Sequence, residues 1–340
     1  MSREKNNANW PNVVIMGGGT GLSVILNELK HKKVNITAIV GVTDDGGSSG
    51  KLRKAAEQVP PGDIRNCISA LSELPEDNKA IFQHRFSNEA SELDEHSLGN
   101  LIISAMSEHF GNYYTAIQKL SDWMQIKGTV LPSAEIPLTL CATFEDGTTV
   151  EGETNITSKG KKIEKVTVKP SKNSDEINPG VHVIESIEQA DIIVVGPGSL
   201  YTSILPNLLI DEVKDAVVNV SAEVMYICNI MTQKGETEGF SDVDHVDVLN
   251  AHVGQPFVDT VLVNNGEVPE ASYHHPSQDE NLGQVRHDFQ GMSAKVPRII
   301  SDDFLNLVDG KVYHNAIRVA NEIEVAAMNG YRQKRKNRII

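Results

Sequence analysis

The stretch VVIMGGGTGLSVILNELK, residues 13–30, passes from a buried apolar run through a glycine turn into helical apolar spacing. Asn12 to Met16 predicts a short strand, Gly17 to Gly21 the turn, and Leu22 to Lys30 a helix, which together open a βαβ unit. Backbone N–H groups in such a turn, with the helix N-terminus behind them, favour an anion. Gly18, Gly19, Thr20 and Gly21 are therefore candidate phosphate contacts. The spacing is not G-x-G-x-x-G, because Leu22 stands three places after Gly19. Nor is it a Walker loop: Gly46 to Lys51 is too short and lacks a Ser or Thr after the lysine. The same glycines also suit the plain tight turn of any parallel α/β protein.

A second strand, Ile36 to Val42, leads into TDDGGSSG, residues 43–50. A loop made only to turn the chain needs a Gly or Asn, not this set. Adjacent carboxylates repel and persist where a cation, a polar ligand or water offsets them. In a parallel sheet, ligands bind beyond the carboxyl ends of the strands, which puts this loop beside the glycine turn. Thr43, Asp44, Asp45, Gly46, Ser48 and Ser49 are candidate ligand contacts. Asp44 and Asp45 could bind a ribose, hold Mg²⁺ against a diphosphate, or act on a hydroxyl as a catalytic base. Gly46 to Gly50 also fits the letters of a hydrolase elbow, G-x-S-x-G, but two carboxylates ahead of the serine oppose a developing oxyanion.

GPGSLYTS, residues 196–203, brings a third polar turn to the same rim. Gly198, Ser199 and Tyr201 are its candidate contacts; as plain structure it is a turn with Ser199 capping a helix. Asn229 in CNIMTQ can read a base or sugar edge, while Cys228 reads as a buried, inert thiol. PPGDIRNC places Asp63, Arg65 and Asn66 near a helix N-terminus. Histidines read as structural or solvated, with His96 in HSLGN the partial exception and His274-His275 in a polar loop.

Residues 131–187 alternate in short runs with turn signals, and Asp146-Gly147 marks a hairpin. They read as a β-rich insertion within one α/β domain spanning residues 11–330. Ser241 to Val253 and Tyr313 to Asn329 read as helices, Thr260 to Val263 as a strand, and Asn264 to Lys295 as loop. Residues 331–340 read as a basic, frayed tail. The chain has 340 residues, 39% of them hydrophobic and 23% charged, as in a globular protein. A formal net charge of −15 disfavours nucleic acid as partner. Three dispersed cysteines suit a reducing compartment, the polar N-terminus is no signal peptide, and no apolar run spans a bilayer. The expectation is a cytoplasmic protein with no membrane contact, and a twofold dimer on general grounds.

Taken in order, GGGTG, TDDGGSSG, PGDIRNC, HSLGN, GPGSLYTSILPNLL and CNIMTQKGETEGF resemble the bacterial gluconeogenesis-factor (YvcK) family, related to the 2-phospho-L-lactate transferases (CofD). The resemblance covers about Val13 to Phe240, and it implies Asn66 as pocket lining together with Gly198, Ser199, Tyr201 and Asn229. It implies a Rossmann-like three-layer α/β/α core with a mostly parallel sheet. It implies a role in growth on gluconeogenic carbon and in cell shape, and binding of a nucleotide sugar such as UDP-N-acetylglucosamine, acting through a regulatory protein partner. The transferase relatives imply the alternative: Mg²⁺-dependent transfer of a phospholactyl group from a nucleoside diphosphate donor to an acceptor hydroxyl, with Asp44 and Asp45 holding metal or substrate. A dinucleotide (NAD) oxidoreductase is the weaker third reading, because the glycine spacing does not match.

Overall fold

The computed structural model describes residues 7–56, 58–87, 93–172, 176–273 and 281–337; His274-His275 and Arg338 lie outside them. The chain opens with β1 (Asn12–Gly17), α1 (Gly19–Leu29), β2 (Asn35–Val40), α2 (Gly47–Ala56), α3 (Gly62–Leu71) and α4 (Glu76–Gln83). It continues through α5 (Leu98–Phe110), α6 (Tyr113–Trp123), β3 (Thr129–Pro132), β4 (Leu138–Phe144), β5 (Thr149–Glu151), α7 (Glu153–Ser158) and β6 (Ile163–Pro170). Then come α8 (Val181–Gln189), β7 (Ile192–Val195), a π-turn (Leu200–Ile204), α9 (Leu205–Leu208), α10 (Asp211–Asn219) and β8 (Glu223–Ile227). Next are β9 (Met231–Gln233), α11 (Asp242–Val253), β10 (Thr260–Asn264), β11 (Asn281–Gln284) and α12 (Phe289–Ser293). The last elements are β12 (Arg298–Asp302), β13 (Leu305–Val308), β14 (Lys311–His314) and α13 (Ala316–Asn337).

Seven strands form one sheet in the order β12-β10-β8-β7-β1-β2-β3. Every pairing in it is parallel. Strands covered on both faces read as continuous apolar runs, and Val13, Val14, Ile15 and Met16 are all at most 1% exposed. Burying each such side chain contributes roughly 1.5–3 kcal/mol. In the helical layers, α1 packs on α3 and α13, and α10 on α8 and α9. This is the Rossmann-like α/β core that the sequence implies. The chain leaves β1 for β2 and β3 on one side, then returns to pair β7 with the other edge of β1. The sheet's topological switch point, where open α/β sheets bind ligands, therefore lies between β1 and β7.

A separate antiparallel sheet, β5-β4-β6, lies between β3 and α8 in the chain. Its β4–β5 hairpin turns at Asp146-Gly147, with Gly147 at φ +79°. The stretch expected to be loop after Asn264 is more ordered than its polarity suggests: β11 pairs antiparallel with β9, and α12 follows. Tyr313 belongs to β14, so the closing helix starts at Ala316. That helix also absorbs most of the tail expected to fray. Lys334 hydrogen-bonds the Ala190 carbonyl and sits 3.7 Å from Asp191. Lysines and arginines in a last helical turn also suit the helix dipole. Among the described residues no helix is long and apolar enough to cross a membrane.

Candidate functional site

The glycine turn after β1 and the GPGS turn after β7 face each other across the switch point. Their approach is close: a Cβ on Gly198 (φ +157°) would lie 3.2 Å from the Gly18 carbonyl. Between them is a pocket of about 300 Å³. Gly18 to Gly21, Gly198, Ser199 and Asn229 line it, with Tyr313 and His314 of β14 on the far wall. Gln233 donates to the Ser199 hydroxyl at 2.9 Å and so fixes that side chain at the rim. His314 donates from Nε2 to the Cys228 carbonyl at 3.1 Å, and burial lowers its pKa to about 4. It is a neutral wall, not a cation. The Cys228 thiol is raised by burial, as an inert cysteine requires.

The N-terminus of α1 is not wholly open to a ligand. Asp63 on α3 accepts the Gly19 N–H at 2.7 Å. Desolvation, which exceeds the help of that hydrogen bond, raises the Asp63 carboxyl to about 6. Nearby Asp44 pushes the same way. Glu153, at the start of α7, is raised well above the usual range, first by burial and then by Asp44, Asp63, Glu236 and Asp45. Five carboxyl groups from the acidic loop, α3, α7 and the segment after β9 thus feel one another around the rim. Glu236 accepts from Tyr201 N–H and from the Thr202 hydroxyl at the N-terminus of the π-turn.

A test follows for Asp63. Below pH ~4 folded and unfolded chains both hold its proton. As pH rises to about 6 the unfolded chain releases the proton and the folded one keeps it, so stability is lost across that window. The deficit above pH 6 is roughly 2–3 kcal/mol. Asp63→Asn keeps an oxygen for Gly19. It should gain about that much stability at pH 7.5 and match the wild type near pH 4, in urea denaturation at both pH values. An equal effect at both would remove the titration argument.

The two aspartates of the acidic loop do different jobs. Asp45 accepts from Thr154 N–H at 3.0 Å and from the Thr154 hydroxyl at 2.7 Å, which ties the loop to α7. Asp44 accepts from Gly46 N–H at 2.9 Å. One oxygen of each is thereby committed to the chain. Among the described residues no group of three His, Cys, Asp or Glu could hold a metal. A Mg²⁺ held here would take its remaining ligands from a diphosphate and water, with the second carboxylate oxygens of Asp44 and Asp45 the protein's donors. Arg53 of α2 underlies the loop, donating to the carbonyls of Thr43 and Asp44 and, across the gap, to that of Leu138 in β4.

Several expected contacts sit elsewhere. Ser48 is 3% exposed; its Oγ lies 3.0 Å from His96 Nδ1 and accepts from Asn100 at 3.0 Å. Ser49 is buried against Gly62, and Thr43 is buried as well. The Ser48 and Ser49 side chains lock α2 to α5 and α3 instead of facing the pocket. His96 does have a specific partner, Ser48, at its Nδ1. Tyr201 does not offer a stacking face: its ring is 1% exposed, edge-on to His252, and burial raises its hydroxyl. Side-chain capping by Ser199 is not made; its carbonyl instead accepts from Ser203 and Ile204. Asn66 lies on a neighbouring groove. The sequence left Asp63, Glu153, Gln233, Glu236, Tyr313 and His314 out of the site. Asp63 had a signal, a carboxylate in the first turn after Pro-Pro-Gly; the others reach the rim only through tertiary contacts.

Residues 13–305 match the family model described as "2-phospho-L-lactate transferase CofD". A Lactococcus lactis subsp. lactis (strain IL1403) protein named "Putative gluconeogenesis factor" is 49% identical over 92% of this chain and 96% of its own length. The "Gluconeogenesis factor" of Bacillus subtilis (strain 168) is 43% identical over the same shares. The crystal structure of protein BH3568 from Bacillus halodurans superposes with a TM-score of 0.88 at 42% identity, covering 93% of this chain and 99% of that one.

Proposed function

The chain belongs to the CofD family, and we propose that within it this protein is a gluconeogenesis factor that binds a nucleotide sugar of the UDP-N-acetylglucosamine type as a regulatory ligand. The observation that carries the reading is the pocket at the switch point, where helix N-terminal N–H groups of the glycine turn meet Ser199, Asn229 and Tyr313. Backbone N–H groups suit a diphosphate. An aromatic ring and an amide suit a base edge. The names of the relatives support the gluconeogenic role. In this reading the protein is cytoplasmic and acts on cell shape during growth on gluconeogenic carbon, through a protein partner. Asp45 and Arg53 tie the acidic loop to the β4–β6 insertion, which gives ligand binding a route to that surface.

CofD-type group transfer is the second reading, favoured by one observation. The Asp63 carboxyl, near 6 at the mouth of the glycine turn, has the pKa a general acid or base needs at neutral pH. Calorimetry with UDP-N-acetylglucosamine, UDP-glucose, GDP and NAD, with and without Mg²⁺, separates the readings. UDP-N-acetylglucosamine is expected to bind with Kd of about 100 μM or tighter and without a Mg²⁺ requirement. If no UDP-sugar binds below about 1 mM, the regulatory reading is abandoned. Mg²⁺-dependent binding of GDP, with phospholactyl transfer from a guanosine nucleotide carrying phospholactate to a deazaflavin alcohol and release of GMP, would install the transferase in its place.

A further inference from the structure

A second groove, of about 730 Å³, adjoins the glycine-turn pocket, and Val24 lines both. On α1 the first pocket takes Gly18 to Gly21 and Val24, and the groove takes Ser23, Val24, Asn27 and Glu28. On the opposite wall, Val312 to His314 line the first and Asn315 to Ile317 the second. At 1.5 Å rise per residue, Asn27 stands about 10 Å along α1 from Thr20.

Three amide side chains in this groove have their oxygens already spoken for. Asn27 Oδ1 accepts from Lys30 Nζ at 2.9 Å. Asn66 Oδ1 accepts from Arg65 Nη2 at 2.7 Å. Asn315 Oδ1 accepts from Arg318 N–H at 3.2 Å. Each partner can only donate, so the orientation of each amide is fixed chemically and each NH₂ is left with no partner among the described residues. Around these donors stand the carboxylates of Glu28, Glu76 and Asp77, and against them the ammonium of Lys79, paired with Glu76 at 2.5 Å, together with Lys30 and Arg65 behind the amides. The charges balance, so the groove has no cationic surplus to hold a phosphate. Among the described residues no aromatic side chain lines the groove, so no ring is offered there to a nucleobase. Amide donors interleaved with carboxylate acceptors match the hydroxyl group, which both donates and accepts.

We propose that this groove is the glycosyl subsite: it receives the uncharged, hydroxyl-bearing sugar of a nucleotide sugar whose diphosphate lies on the glycine turn. The inference rests on the nucleotide-sugar reading and adds the place and chemistry of sugar recognition. The test is the double variant Asn27→Asp, Asn66→Asp. Aspartate keeps the oxygen that Lys30 or Arg65 needs and replaces the NH₂ donor by a second carboxylate oxygen beside a cation, so the fold should survive, as thermal melts will check. Calorimetry at 0.15 M salt screens the added charges from a diphosphate about 10 Å away.

UDP-N-acetylglucosamine affinity should fall about tenfold or more, while UDP affinity changes less than twofold, since each lost hydrogen bond contributes about 0.5–1.5 kcal/mol. Unchanged sugar-nucleotide affinity, or equal losses for UDP and the sugar nucleotide, would overturn the subsite and leave nucleotide-sugar binding intact. If wild type binds neither UDP nor the sugar nucleotide, both readings fall together.

Discussion

Replacing Arg53 by methionine should lower the unfolding free energy by about 3–5 kcal/mol and weaken ligand binding at least tenfold. Methionine conserves much of the volume, so the loss isolates the guanidinium. Arg53 is 9% exposed. Nη1 donates to the Thr43 carbonyl at 2.9 Å and the Asp44 carbonyl at 3.3 Å. Nη2 donates to the Leu138 carbonyl at 2.6 Å, the Thr139 hydroxyl at 3.2 Å and the Ser171 hydroxyl at 2.5 Å. Hydrogen bonds from a charged donor contribute about 1.5–3 kcal/mol each, and buried carbonyls left without a partner cost more than the bond was worth.

Burial lowers the Arg53 pKa against the pull of Asp45, Asp44 and Glu153, yet a guanidinium stays charged. The charge is therefore held in place chiefly by these oxygens and the acidic loop. Arg53→Lys should recover only part of the loss, because an ammonium lacks the planar fork that reaches both sides of the gap. Urea denaturation supplies the stability and calorimetry the affinity. A loss below 1 kcal/mol would mean that the loop and the insertion are not coupled through this residue.

How far the sequence revealed the site depends on how local each signal is. The β1 turn and α1 were legible because an apolar run, a glycine cluster and a helical period adjoin in one short segment. The parallel sheet followed from them, and with it the switch point. Tyr201 misled because its neighbours in GPGSLYTS are rim residues, whereas the π-turn rotates its ring into the core. Ser48 misled differently: α2 begins at Gly47, and its first turn faces His96 and Asn100, not the pocket. Glu153 was invisible because only the return of the insertion over the acidic loop brings it near Asp44 and Asp63. Asn27 and Asn315 look like solvated helix positions in the sequence. Their meaning lies in which atom Lys30 and Arg318 have already taken.

Gly50→Ala should be the most damaging change in the acidic loop, with a loss of about 3 kcal/mol or more. Alanine in a helix is ordinarily better than glycine by about 1 kcal/mol, and Gly50 lies inside α2 at a backbone angle any residue accepts. Propensity alone therefore predicts a gain. Space decides otherwise: a Cβ at Gly50 would lie 1.9 Å from the Asp45 carbonyl oxygen and 2.5 Å from its carbon. Those are backbone atoms, which no rotamer change can move.

The Asp45 peptide would have to shift by more than an ångström. That movement pulls Asp45 off Thr154, frees α7, and breaks the Gly50 N–H bond to the Gly46 carbonyl, now 2.8 Å. Gly47→Ala is the contrasting control. Gly47 has φ +42°, which costs a side chain about 1–2 kcal/mol, but nothing lies within 4 Å of its added Cβ. Steric overlap with the backbone should outweigh the dihedral penalty, so Gly50→Ala should melt lower than Gly47→Ala and lose more ligand affinity. The reverse order would show that the loop yields at Asp45 and is held by its backbone angles instead.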